Sequence, residues 1–219
     1  LNIAGLLKTA TIDFPHRLAA VVFTAGCNYD CGFCHNRGLL TATDFEDNGE
    51  VMRFLEKRAG LLDGVVISGG EPTLQKDLLG FARAVKELGY DVKLDTNGSN
   101  PGVVDGLLSG GLVDYVAMDY KAPLARYPEI CGAQADGFLE TLGLLRASDA
   151  EWELRTTMIP QIGREELRGM AEAVGRLPLY ALQLYRPVGI EKLRIYTPQE
   201  IASMAEDLKD IQPNVFARC

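Results

Sequence analysis

Gly64-Val65-Val66-Ile67-Ser68-Gly69-Gly70-Glu71-Pro72-Thr73-Leu74 is the stretch on which the fold turns. A short β-branched run stops at a Gly-Gly pair, and an amphipathic helical pattern follows over 76–88. The same unit recurs along the chain. Strand-like runs occupy 18–24, 64–68, 91–96, 113–119, 151–157 and 179–184, and helical patterns fill 50–58, 76–88, 103–108, 138–147 and 165–176. Each helical stretch is too long for a hairpin turn, so the alternation predicts parallel strands joined by right-handed crossovers. A last helix over 198–208 is expected to follow the sixth strand and close the chain. Six βα units fit a doubly wound open sheet or an incomplete relative of the (β/α) barrel, and both put chemistry at the C-terminal ends of their strands. Cys27, Gly69 to Glu71, Asp95 to Gly98 and Asp119 to Lys121 all follow predicted strands, which places them on one expected rim.

The 219 residues suit one domain over 1–219, with no linker, repeat or low-complexity tract to divide them. Apolar stretches such as Leu18 to Phe23 fall far short of the ~20 residues of a membrane helix. No secretory signal is visible, so a cytoplasmic location is expected. Twenty-two basic against thirty acidic residues give a net charge of −8, which disfavours nucleic acid as a partner. Only His16 and His35 are present, which leaves little room for a Ser/His/Asp relay or histidine-based zinc catalysis.

Five cysteines include three within eight residues, Cys27, Cys31 and Cys34, in the spacing C-x3-C-x2-C. Clustered thiolates in a chain without a signal argue for a metal instead of disulfides. Soft thiolates suit an iron–sulfur cluster or zinc, and structural zinc wants a fourth ligand that no nearby residue supplies. Cys31-Gly32-Phe33-Cys34-His35 also matches the C-x2-C-H form of covalent haem attachment, against which stands the additional Cys27 upstream. Unliganded buried thiols are the remaining alternative, and a cluster-bound assembly or sensor protein would need the cysteines without a glycine-rich rim. Cys131 and Cys219 stand alone in the sequence and are expected to be unliganded.

The segment Phe23-Thr24-Ala25-Gly26-Cys27-Asn28-Tyr29-Asp30-Cys31-Gly32-Phe33-Cys34-His35-Asn36 resembles the signature of the radical S-adenosylmethionine (radical SAM) enzymes, including the aromatic before the last cysteine. It is most similar to the activating enzymes of glycyl radical enzymes. Among these it resembles the longer anaerobic ribonucleoside-triphosphate reductase activating proteins, with pyruvate formate-lyase activase as near kin. The resemblance runs from Ile3-Ala4-Gly5-Leu6 through Ile67 to Leu74 and Lys93 to Gly98 to Asp119-Tyr120-Lys121. It implies an α/β fold, an incomplete (β/α)6 barrel, with Cys27, Cys31 and Cys34 holding a 4Fe-4S cluster to which S-adenosylmethionine binds. Reductive cleavage then gives a 5′-deoxyadenosyl radical that abstracts hydrogen, with no catalytic side chain beyond cluster and cofactor. By the same resemblance Gly69, Gly70 and Glu71 meet the methionine amine, Asp95 to Gly98 including Asn97 lies near the ribose and methionine end, and Lys121 meets the carboxylate. Asp95, Thr96 and Asp119 would help to hold a monovalent cation; independently of the resemblance, Arg155 on the fifth predicted strand is a candidate contact to cofactor or substrate. The implied partners are a glycyl radical enzyme and a low-potential donor such as flavodoxin or ferredoxin. The alternative is a radical SAM enzyme acting on a small molecule, similar to 7-carboxy-7-deazaguanine synthase.

Each of these motifs also has a plainer explanation. Gly69-Gly70-Glu71-Pro72 could be a tight turn with a helix start. Asp95-Thr96-Asn97-Gly98 could be an Asx turn. Asp119 with Lys121, and Arg155 with a strand-end carboxylate, could be rim salt bridges. Two segments depart from the family pattern. Gln183-Leu184-Tyr185-Arg186-Pro187 stands where pyruvate formate-lyase activase has a late-strand histidine, and Pro15-His16 stands where relatives often have Pro-Gly. Glycine backbone angles are costly for His16. The five methionines, Met52, Met118, Met158, Met170 and Met204, are expected to fill the core.

Overall fold

A computed structural model describes residues 1–187 and 194–219. Its strands are β1 (Ile3–Ala10), β2 (Ala19–Thr24), β3 (Gly64–Gly69), β4 (Asp91–Thr96), β5 (Tyr115–Asp119), β6 (Glu151–Met158), β7 (Tyr180–Leu184) and β8 (Val215–Arg218). Its α-helices are α1 (Asn48–Arg58), α2 (Leu78–Glu87), α3 (Pro101–Ser109), α4 (Tyr127–Cys131), α5 (Phe138–Ala147), α6 (Arg164–Ala173) and α7 (Pro198–Asp207). The strands lie in chain order in one mostly parallel sheet with β1 and β8 at its ends, which is the expected open α/β class. The six predicted strands and six predicted helices all form, each within three residues of the expected bounds.

Two strands were not expected. β1 pairs antiparallel with β2, with register shifts between Ile3 and Gly5 and between Leu7 and Ala10. β8 pairs parallel with β7. The expectation that the last helix closes the chain is therefore corrected: α7 leads into β8. Neither strand carries a strong local signal, because β1 contains Gly5 and two shifts that disrupt the alternation of its side chains, while β8 has only four residues.

The chain divides into two compact units. One comprises Leu1–Asn28, Asn36–Ala117 and Asp136–Glu151, the other Tyr29–His35, Met118–Ala135 and Trp152–Cys219. In the first, Phe14, Val21, Val66, Tyr115 and Ala117 build a core cluster, with the Phe14 and Tyr115 rings 6.0 Å apart. Helix α2 buries Leu78, Ala82 and Val85 at helical spacing, and α1 begins where the Asp47 side chain accepts from the Glu50 amide.

In the second unit, Tyr120, Tyr127 and Tyr180 are among the largest fully buried side chains. Thr156 Oγ1 joins the Tyr120 carbonyl at 2.7 Å and the Tyr180 hydroxyl at 2.8 Å. α7 starts with Thr197 and Glu200 capping one another and Pro198 in its first turn. Met118, Met158, Met170 and Met204 are buried as expected, whereas Met52 is half-buried. No helix among the described residues is long and apolar enough to cross a membrane.

Candidate functional site

The predicted site residues form two groups, one in each unit. In the first unit Gly69 and Gly70 lie against the backbone that leads into Cys27. A Cβ on Gly70 would fall 1.9 Å from the Gly26 carbonyl oxygen, and one on Gly69, at φ 122, would fall 2.3 Å from the Thr24 backbone. The Gly70 amide donates to the Thr24 carbonyl at 2.9 Å and the Glu71 amide to the Gly26 carbonyl at 2.8 Å. Glycine is thus required here by close backbone approach, and the approach fixes the strand end that carries the first cysteine. Asn36 donates to the Gly69 carbonyl at 3.0 Å and ties the far end of the motif to the same turn.

Glu71 is fully buried. One carboxylate oxygen accepts from the Thr73 amide (3.1 Å), the Thr73 hydroxyl (2.6 Å) and the Thr96 hydroxyl (2.7 Å), and the other from the Asn97 amide (2.7 Å). In this structure the carboxylate binds protein donors and organises the turn after β4. Burial raises its pKa above the ordinary carboxylate range despite these bonds.

From that turn the Asn97 side chain donates to Asn28 Oδ1 at 2.9 Å and lies 4.0 Å from the Cys27 sulfur, while Asn28 donates to the Ser99 hydroxyl at 2.9 Å. Asn97 also accepts from the Ser99 amide at 2.9 Å, which is the Asx turn read from the sequence. Asp95 pairs with the buried Lys93 at 2.5 Å and accepts from the Ser68 hydroxyl at 3.1 Å.

In the second unit Cys34 turns back on Cys31, its amide donating to the Cys31 carbonyl at 3.1 Å. Cys31 is buried and shares a side-chain hydrogen bond with Cys131, which with nearby Lys121 lowers the Cys31 thiol to about 7 and raises that of Cys131. Cys131, isolated in the sequence, is therefore not isolated in space. Cys219 is exposed. Asp119 is shared between Lys121 at 3.1 Å and Arg155 at 2.9 Å, two cations against one carboxylate. The expected rim salt bridge is present, and Arg155 has its strand-end partner. Phe33 and His35 pack edge-on against Tyr185 at 6.5 and 6.0 Å, so the segment that departs from the family pattern still contacts the cysteine motif.

Among the described residues no group of three or more His, Cys, Asp and Glu side chains is gathered as a metal site. The donor chemistry nevertheless fits a thiolate-held group: three soft ligands in eight residues, one of them with a depressed pKa beside a lysine. Sequence reasoning missed Asn28, Ser99, Lys93 and Cys131: Asn28 and Ser99 meet across 71 residues and Cys131 meets Cys31 across 100, while Lys93 is singled out by its burial, and neither distance nor burial leaves a local pattern. Only Asn28 and Asn36, inside the motif, carried a positional hint.

The family model described as "Radical SAM superfamily" matches residues 21–174. A protein of Methanocaldococcus jannaschii with the provisional name of a glycyl-radical enzyme activating enzyme is 34% identical over 99% of this chain and 95% of its own length. A Saccharolobus solfataricus protein provisionally named GTP 3′,8-cyclase is 39% identical, over 36% of this chain and 26% of its own. Among solved structures, Streptococcus suis SuiB bound to S-adenosylmethionine superposes with TM-score 0.71 at 17% identity, covering 91% of this chain and 50% of that one. A radical SAM methyltransferase from Sphaerobacter thermophilus gives 0.72 at 16% identity, covering 94% and 67%. The chain thus spans about half the length of the SuiB structure, and at these identities the likeness is one of fold.

Proposed function

This chain belongs to the radical SAM superfamily, and we propose that within it the chain is an activase that installs a glycyl radical on a partner protein. The family carries a 4Fe-4S cluster and S-adenosylmethionine. The observation that carries the finer reading is the similarity to the M. jannaschii relative, which extends over nearly the whole of both chains. The cyclase relatives share only about a third of this chain. We assign the partner to the anaerobic ribonucleoside-triphosphate reductase class, with flavodoxin or ferredoxin as electron donor.

In this proposal Cys27, Cys31 and Cys34 hold the cluster, and together cluster and cofactor supply one-electron cleavage that ends in hydrogen abstraction. Gly69 and Gly70 present main chain to the methionine amine, a role compatible with their lack of side chains. Glu71 acts through Asn97 by holding its amide, so that Asn97 and Asn28 line the approach to Cys27. Lys121 and Arg155, both drawn to the Asp119 carboxylate at this strand end, offer positive charge to a carboxylate of the cofactor. Asp95 and Asp119 remain the acidic groups for a monovalent cation, each already paired with a cation of the protein itself.

The test is anaerobic mixing of the reduced protein, S-adenosylmethionine and a candidate reductase. Electron paramagnetic resonance is expected to show a glycyl doublet, and deuterium at that glycine should pass into 5′-deoxyadenosine. Deuterium acquired instead from a labelled metabolite would replace this proposal with the small-molecule one.

A further inference from the structure

Cys131 occupies a position that nothing in the sequence connects with the C-x3-C-x2-C motif. It is the last residue of α4, which ends at Gly132 with φ 71. Its carbonyl accepts the Asp30 amide at 2.8 Å, and a Cβ on Gly132 would meet the Asp30 Cβ at 3.3 Å. The helix is fixed at its other end too: the Tyr127 hydroxyl accepts from the Lys121 amide at 3.0 Å, and the Tyr29 ring stands edge-on to Tyr127 at 5.9 Å. A fourth thiol is thereby held against the middle cysteine of the motif. Both residues are buried, Cys131 completely and Cys31 to within 4%.

Water is excluded from this contact, so the hydrogen bond between the two sulfurs has no solvent competitor. A cysteine that ligates a metal does so as a thiolate, which can only accept, so with Cys31 ligating the bond runs from the Cys131 S–H to the Cys31 sulfur. A donor to a ligating thiolate withdraws electron density from the metal centre and stabilises its reduced state. We propose that Cys131 is a positioning residue for the cluster: it orients the ligating sulfur of Cys31 and raises the cluster's reduction potential. This rests on the assignment of Cys31 as a cluster ligand.

Anaerobically reconstituted wild type, Cys131→Ala and Cys131→Ser are compared by iron content and by redox titration followed through the spin resonance of the reduced cluster. All three are expected to hold the same iron. The midpoint of Cys131→Ala should move to more negative potential, and that of Cys131→Ser should return toward wild type because the hydroxyl restores a donor. An unchanged midpoint in Cys131→Ala, or iron lost from it, overturns the proposal. A second arm treats metal-free wild type with diamide, which takes up two protons and two electrons as the two thiols join. Alkylation and peptide mapping should then find a Cys31–Cys131 disulfide, and its absence overturns the contact on which the proposal stands. Wild type that forms this disulfide but never binds iron shows instead that the cluster assignment has failed, and the proposal falls with it.

Discussion

At the residue scale, Gly70 and Glu71 carry more of the site's architecture than their side chains suggest. Gly70→Ala forces a methyl group onto the Gly26 carbonyl, and backbone cannot yield as a flexible side chain would. A loss of at least about 2 kcal/mol is expected in denaturant unfolding, at the upper part of the usual range for overpacking. Glu71→Ala strands the Thr73 and Asn97 amides and the Thr96 hydroxyl in a dry site, at about 1–3 kcal/mol for each buried group left unsatisfied. The raised pKa of Glu71 also fixes a sign. Its contribution to stability is full below the unfolded value of about 4.3, declines as pH rises toward the folded value and is constant above it, a slope that Glu71→Gln should remove from a stability–pH curve. His16 does take the glycine-like angle that the sequence made costly, at φ 59 on an exposed turn, and is alone in this among the described non-glycine residues. His16→Gly is expected to gain about 0.5–1 kcal/mol, the left-handed strain relieved less the entropy a glycine loses on folding.

At the element scale, β8 shows how a four-residue strand is held without a local signal. Arg218 forms a fork on Glu153 of β6 at 2.8 and 2.7 Å, and Glu153 is 1% exposed. Removing one partner strands a buried charge, so Arg218→Ala should cost about 3 kcal/mol. The double variant Arg218→Met, Glu153→Leu should recover most of it, as equilibrium unfolding of the single and double variants would reveal. The six predicted strands, by contrast, were legible as compact apolar runs, as in β3, or as alternating apolar and polar residues, as in β4 and β6, and their helices carry apolar residues at helical spacing, as Leu78, Ala82 and Val85 do in α2.

At the scale of the whole molecule, the assignment of the cysteines makes one demand on the chain as a unit. Anaerobic reconstitution should load the wild type with a four-iron cluster, and Cys27→Ala, Cys31→Ala and Cys34→Ala should each abolish iron loading and S-adenosylmethionine cleavage. Cys219→Ala should retain both, because that thiol is exposed at the end of β8, outside the motif. Iron and acid-labile sulfide assays decide this, and iron lost with Cys219→Ala would overturn the ligand assignment.

By itself the sequence determined the alternation of strands and helices, the open α/β class, the family and the thiolate motif, because hydrophobic period, turn residues and ligand spacing are all local properties. Only the tertiary structure decided what the polar residues of those motifs bind. Gly70 meets Gly26 across 44 residues, Glu71 meets Asn97 across 26, and Cys31 meets Cys131 across 100, contacts fixed by strand order and packing. Burial then gives these contacts their chemistry: a carboxylate withdrawn from solvent becomes an organiser of backbone, and a cysteine that looked solitary becomes the neighbour of a cysteine of the motif.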